Sequence, residues 1–506
     1  MSPEVKQFRE ILFWPFRFEG DGGDEMREFL DRSNLWHRDK DWLNRCYRHN
    51  QQRPAQTAYG EFVYFHPFVQ RFLFSDDPGY SPMQVWRRDD ITGAAVSLRD
   101  SDQTVVELAV EQVRLFWFDL HDGHGVGIMT LEVQARSPLP LGTVQNLLDQ
   151  FRRVYPPYWE DGSGGRFPLQ VVWSKEDGSK LDCGQEPFAQ FWNWADDRRT
   201  YPVAKHWRSL LYGDVESAQG WFGKLRQIED ERMPIMAWLA MDSPRALTHG
   251  DFVRLCFADD AGPSDTLPYA SGFLTNFARD YCYDRYWAGD SINDLATAGP
   301  ATDDPATAAQ KRMTTRYMNC GYAFTMVGED EERFYANGVS GALAHFRNHY
   351  FTMGLIAHFQ KAALLSFSDS LSADTSQPGS RSLHKTARKT LRRLIDFTDR
   401  YWFVDLSNQI QARELYSQWR GHLGLDALYA QVMDEADKLS SYLEGENQER
   451  LEKIVFAVAS VLALLQILIA LGQGDSGGSA IVSALLILIA IGGAAAGSIW
   501  WWRDRR

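Results

Sequence analysis

Ser476 sits in the stretch Gly474-Asp475-Ser476-Gly477-Gly478, a setting that suits a nucleophilic serine. Nucleophilic catalysis also needs a base and a group that orients it, all held on a rigid scaffold. Here the stretch lies between two long apolar runs, so Ser476 and Asp475 read as the polar tip of a tight turn made by Gly472, Gly474, Gly477 and Gly478. The first run carries a second pattern. Ala459, Ala463, Gln466, Ala470 and Gln473 form one stripe of small and polar residues at spacings of four, three, four and three. Extended backward, the stripe meets Phe456 and Glu452. An amide facing lipid is costly, so Gln466 should face protein or water. Around an axis of several copies the stripe would line a pore. Gln466 and Gln473 would then form polar rings, and Phe456 an apolar constriction. Asp475 at the entrance would concentrate cations. The alternative is that the same residues pack helix on helix.

Other constellations are weaker. His121, Asp122 and His124 share one turn and have metal-ligand chemistry, yet turn residues of this kind need no metal. Glu329, Asp330, Glu331 and Glu332 offer carboxylates for a divalent ion or a solvated loop. Arg381, Lys385, Arg388, Lys389, Arg392 and Arg393 cluster along a predicted helix, a face for anionic lipid heads or a phosphorylated ligand, or simply a solvated basic face. The sequence has no Walker A loop and no GxGxxG, and no catalytic histidine–nucleophile arrangement stands out. The reading is therefore of a protein that is not an enzyme and holds no tightly bound cofactor.

The elements that must position these residues follow from periodicity. Residues 1–340 read as a mixed α and β cytoplasmic domain with helices on one face of its sheet. Residues 61–74 look like a strand, and "VEQVRLFWFDL" with "GVGIMTLEVQA" like a β-hairpin. Residues 141–155 have helical spacing, and 288–311 read as a long surface loop. A helical bundle and stalk should occupy 341–453, with a seam at Leu425, Leu428, Val432, Ala436, Leu439 and Leu443. Residues 454–502 read as a two-helix transmembrane hairpin with an outer loop at 473–478, and Gly493 and Gly497 give its second helix a close-packing face. Residues 503–506 form a basic tail. Lys453 before the first span and Arg503 after the second place both termini in the cytoplasm of an inner-membrane protein. The N-terminus lacks the apolar core of a signal peptide. Net charge is −14, which argues against nucleic-acid partners. The five cysteines are scattered, with no CxxC pair, and read as reduced thiols.

The last 160 or so residues resemble the CorA-like divalent-cation transporter family. The likeness lies in a helical bundle, a long helix running into the first span, a short outer loop, a second span and the basic ending Trp500-Trp501-Trp502-Arg503. It implies a homopentamer, a pore lined by the first span, and Mg²⁺ or a similar divalent cation as the transported or regulatory ion. That family's Gly-Met-Asn signature is replaced here by Gly472-Gln473-Gly474. The expected function is a metal-cation channel regulated by its cytoplasmic domain, in contact with membrane lipid. The other reading is an effector whose cytoplasmic domain binds a small nucleotide-like ligand and whose spans open or perturb the membrane.

Overall fold

The computed structural model describes residues 3–18, 22–39, 42, 60, 63–74, 83–120, 124–160, 163–184, 203–213, 225–287, 314–375 and 381–472. The chain forms two compact units. One comprises Met1–Ser370 and Arg392–Val432, the other Leu371–Leu391 and Met433–Arg506.

Among the described residues, the first unit is organised by a sheet of fourteen strands. Its main path uses β1 (Glu4–Phe18), β2 (Ile91–Ser97), β3 (Val105–Asp119), β4 (Gly125–Ala135), β5 (Gln170–Lys175), β6 (Lys180–Asp182), β7 (Ile235–Met241), β8 (Cys282–Tyr283), β9 (Arg316–Asn319) and β10 (Ala323–Glu329). Their order is β6-β5-β2-β3-β4-β1-β7-β10-β9-β8. β7 and β10 are parallel, and the other neighbours on this path run antiparallel. β3 and β4 are the expected hairpin, closing with Asp119 opposite Gly125.

Helices cover both faces of the sheet, not one. β1 shows why. Its run Ile11-Leu12-Phe13-Trp14 is apolar without alternation, as a strand buried on both sides requires. On the first face, Phe8, Leu12 and Trp14 join a core with α3 (Leu141–Phe151), α4 (Lys205–Tyr212) and α5 (His249–Phe257), flanked by α1 (Gly22–Arg32) and α6 (Ser271–Tyr281). On the second face, α8 (Phe351–Thr375) lies against the sheet through Phe351 on Phe13 at 5.5 Å and Phe359 on Phe118 at 4.0 Å between ring centroids. α2 (Pro67–Phe74) packs here too, with Phe72 on Phe118 and Phe359. Within the 61–74 stretch, Pro67–Phe74 is thus helical where a strand is expected. Pro67 suits a first helical turn, and buried Val69, Phe72 and Leu73 fit helical spacing.

The helical region begins with α7 (Ala342–His345), followed by a π-helical turn at Phe346–Tyr350 and then α8. α9 (Arg381–Tyr401) and α10 (Ile410–Leu423) follow. Gly424, with φ of 65°, takes the left-handed conformation that ends α10. α11 is one continuous helix of 48 residues, Leu425–Gly472.

The transmembrane hairpin is overturned. Among the described residues no helix is long and apolar enough to cross a membrane. The rest of the expected hairpin, 473–502, lies outside the described residues. This corrects the fold class, the membrane-channel description and the inner-membrane placement together.

Candidate functional site

The π-helical turn Phe346–Tyr350 interrupts an otherwise regular helix, and such turns recur at functional sites. It gathers polar aromatic groups on the second face of the sheet. The His345 and His349 rings lie 5.2 Å apart. Tyr64 stacks on His349 with centroids 3.9 Å apart and planes 17° from parallel. Tyr64 is held by the segment before α2, where the Ser407 hydroxyl donates to its carbonyl and the His66 amide donates to the Leu406 carbonyl at 2.9 Å. From the sheet, Tyr317 of β9 meets Tyr350 at 6.0 Å and Tyr286 at 6.1 Å.

Burial divides the cluster into a floor and a rim. Tyr317 and Tyr350 are 2% and 1% exposed, whereas Tyr64, Tyr286, His345 and His349 are half-buried. Burial raises the phenol pKa of Tyr64, Tyr317 and Tyr350, so their hydroxyls stay protonated. Burial also lowers His345, which favours its neutral imidazole. Glu332 brings a carboxylate close enough to bear on Tyr317, and it accepts from the Thr315 hydroxyl at 3.2 Å. The basic residue of the turn is already committed. Arg347 reaches Glu132 at 2.6 Å through Nε and Glu111 at 3.6 Å. The result is a set of aromatic faces, neutral hydroxyls and a carboxylate.

A second polar group is sealed on the first face. Glu10 of β1 is fully buried, and neither of its carboxylate oxygens has a hydrogen-bond partner. Burial pushes it up to about 8, opposed by the charge of Arg152. Arg152 follows α3. Burial lowers it to about 10, helped by Arg232 and Arg153, and its Nε and Nη1 also lack partners. Beside it, Arg153 is fully paired, with Asp149 at 2.6 Å and Glu231 at 2.9 Å.

The residues singled out from sequence lie elsewhere. Glu452, Phe456, Ala459 and Ala463 are exposed along α11, Phe456 by 74%. Gln466 and Ala470 belong to α11, but their side chains lie outside the described residues. Gln473, Asp475 and Ser476 lie outside them altogether, as do His121, Asp122 and the 288–311 loop. In α9, Arg388, Lys389 and Arg392 are exposed and Arg393 is buried, while the Arg381 and Lys385 side chains are not described. The acidic loop is tethered: Glu329 accepts from Thr314, Asp330 from Gln7 at 2.6 Å, and Glu332 from Thr315. Among the described residues no group of three His, Cys, Asp or Glu could hold a metal ion. The tyrosine–histidine cluster escaped sequence reading because its members come from four separated segments. The one local signal was "HFRNHY", two histidines and a tyrosine within six residues.

No protein-family profile, curated protein or solved structure matches the chain. Nothing among them supports or opposes the CorA-like resemblance.

Proposed function

We propose that the chain is a ligand-responsive protein whose first unit binds a small organic cation at the π-helical turn. The observation that carries this reading is the half-open wall of Tyr64, Tyr286, His345 and His349 over the buried Tyr317 and Tyr350, with the Glu332 carboxylate beside it. Aromatic faces attract a cation by ~0.5–2 kcal/mol each, and more when water is excluded. The phosphates of a nucleotide-like ligand would need a cation to pair with, and Arg347 is already engaged by Glu132 and Glu111. An onium or protonated heteroaromatic group fits the wall better.

The response has a route through hydrogen bonds and an ion pair. The π-helical turn continues into α8. In α8, Gln360 donates to the carbonyls of Tyr401 and Phe403, and Lys361 donates to the Leu423 carbonyl at 2.9 Å. Leu423 ends α10, where Arg420 pairs with Asp426 in the first turn of α11. A shift of the turn therefore has a chain of contacts leading to the start of the 48-residue helix. Further along, α11 exposes Leu451, Val455, Phe456, Val458 and Leu462 by 53–74%. That apolar surface supports self-association of several copies along α11 as the readout.

The test is a calorimetric titration of the full chain with tetramethylammonium, run in parallel with inorganic pyrophosphate, while the oligomeric mass is followed by light scattering. The reading expects saturable tetramethylammonium binding, weakened about tenfold by Tyr64→Ala, which is ~1.4 kcal/mol. Saturable pyrophosphate binding without tetramethylammonium binding contradicts it.

A further inference from the structure

The wall over Tyr317 and Tyr350 contains two side chains of the one type that titrates near neutrality. His345 ends α7, and His349 lies in the π-helical turn. Their ring centroids are 5.2 Å apart. Each ring also belongs to an aromatic surface. His349 lies nearly parallel to Tyr64 at 3.9 Å, with Phe65 edge-on at 6.4 Å. His345 meets the buried Tyr350 at 5.8 Å and the exposed Phe334 at 6.3 Å, both edge-on. Both imidazoles are half-buried, so water and protons reach them.

The charged groups on the elements around the pair are held by other partners. In the turn itself, Arg347 reaches Glu132 at 2.6 Å and Glu111 at 3.6 Å, and Arg9 of β1 reaches Glu132 at 3.3 Å. After β8, Arg285 pairs with Glu414 at 3.0 Å, and in β9 Arg316 pairs with Asp284 at 2.9 Å. Before α2, His66 lies 3.9 Å from Asp405. After β10, Glu331 and Arg333 are exposed, and Glu332 accepts from Thr315 at 3.2 Å. In α8, His358 is buried against Phe13 at 5.4 Å, and Lys361 donates to the Leu423 carbonyl.

A charge on the histidine pair reverses what the wall offers. A neutral imidazole adds an aromatic face. A protonated one is itself a cation: beneath Tyr64 it takes the attraction that the ring would give a ligand, and it repels a second positive charge nearby. With the rings this close, the first proton resists the second, because like charges disfavour each other's ionised form. Burial lowers His345 from its ordinary 6.5, which favours an uncharged wall at neutral pH.

We propose that a single proton on the His345–His349 pair excludes the organic cation, so that the site exchanges one for the other and empties on acidification. This rests on the cation-binding reading above. The exchange balances in charge: one cation enters and one proton leaves to the buffer. The antagonism is mutual, since a proton that weakens the cation by a given factor is itself weakened by the cation by the same factor. Affinity is therefore full above the titration of the pair and falls as pH drops through it.

The experiment titrates tetramethylammonium into the full chain by calorimetry at pH 8 and pH 5. Each titration is run in two buffers of different ionisation enthalpy, which counts the protons released per cation bound. Affinity should be about tenfold weaker at pH 5, with close to one proton released there and none at pH 8. The double variant His345→Phe, His349→Phe should lose both the proton release and the difference between the two pH values, whatever its absolute affinity. Glu332→Gln should keep the proton release, which separates the histidines from the carboxylate. Equal affinity at both pH values without proton release overturns the inference and leaves the cation reading standing. Tighter binding at pH 5, or proton release that persists in the double variant, overturns it as well. Absence of saturable binding at pH 8 fails the cation reading itself, and the inference with it. The proton count of the native chain decides even if either variant fails to fold.

Discussion

The two faces of one sheet handle their polar groups in opposite ways. On the face that α8 covers, Tyr64 and His349 are stacked and half-open, and Thr315 holds the Glu332 carboxylate. Under α3 and α5, Glu10 and Arg152 are sealed in an apolar core without hydrogen-bond partners for several of their atoms. The first arrangement keeps neutral groups available to something outside. The second changes the charge state of what is inside, because desolvation penalises the ionised form. β1 supplies both faces from alternate positions, Arg9 to one and Glu10 to the other, so the contrast is built into adjacent residues.

The largest expected effect tests whether the open face depends on packing. Phe359 is fully buried and stacked on Phe118. Phe359→Ala should destabilise the chain by ~3–5 kcal/mol in chemical denaturation, and should loosen the π-helical turn that α8 carries. Loss of stability with unchanged tetramethylammonium binding would separate the turn from α8.

The sealed face should reveal itself through pH. Glu10 stays protonated in the folded chain up to about 8, against an ordinary value of 4.5. Between those values the unfolded chain releases the proton and the folded chain keeps it. The stabilisation from this group is therefore complete below 4.5 and falls as pH rises through the window. Glu10→Gln removes that dependence. Relative to the native chain it should gain stability as pH moves from 5 to 8.5, by on the order of a few kcal/mol. Denaturation curves at the two pH values measure this, and a constant difference between them would place Glu10 in a wetter setting.

The smallest effect sharpens the contrast. Tyr64→Phe keeps the stack on His349 and removes one half-buried hydroxyl. Stability should change by less than ~1 kcal/mol. Tetramethylammonium affinity should survive, because the aromatic face remains.

Legibility from sequence followed the range of the physics. Local periodicity was enough for the β3–β4 hairpin, α3 and the long helix through Leu425, since each is written in contiguous residues. It failed at 61–74, where dense aromatics mimic a strand and only Pro67 marks a helix start. It also failed for the number of covered faces, which needs the pairing of β1 with both β4 and β7. The transmembrane hairpin was inferred from hydropathy alone, and no described helix meets the length and apolarity that a crossing requires. The candidate site was almost illegible. Tyr64, Tyr286, Tyr317 and His349 are separated by up to 285 positions, and nothing in their spacing links them.

The most direct measurement of the central claim is hydrogen exchange of the full chain with and without saturating tetramethylammonium. The account predicts slowed exchange across 345–350, spreading into the first turns of α8, with no change in α5. Protection confined to α5, or none anywhere at concentrations where binding is saturated, would contradict it.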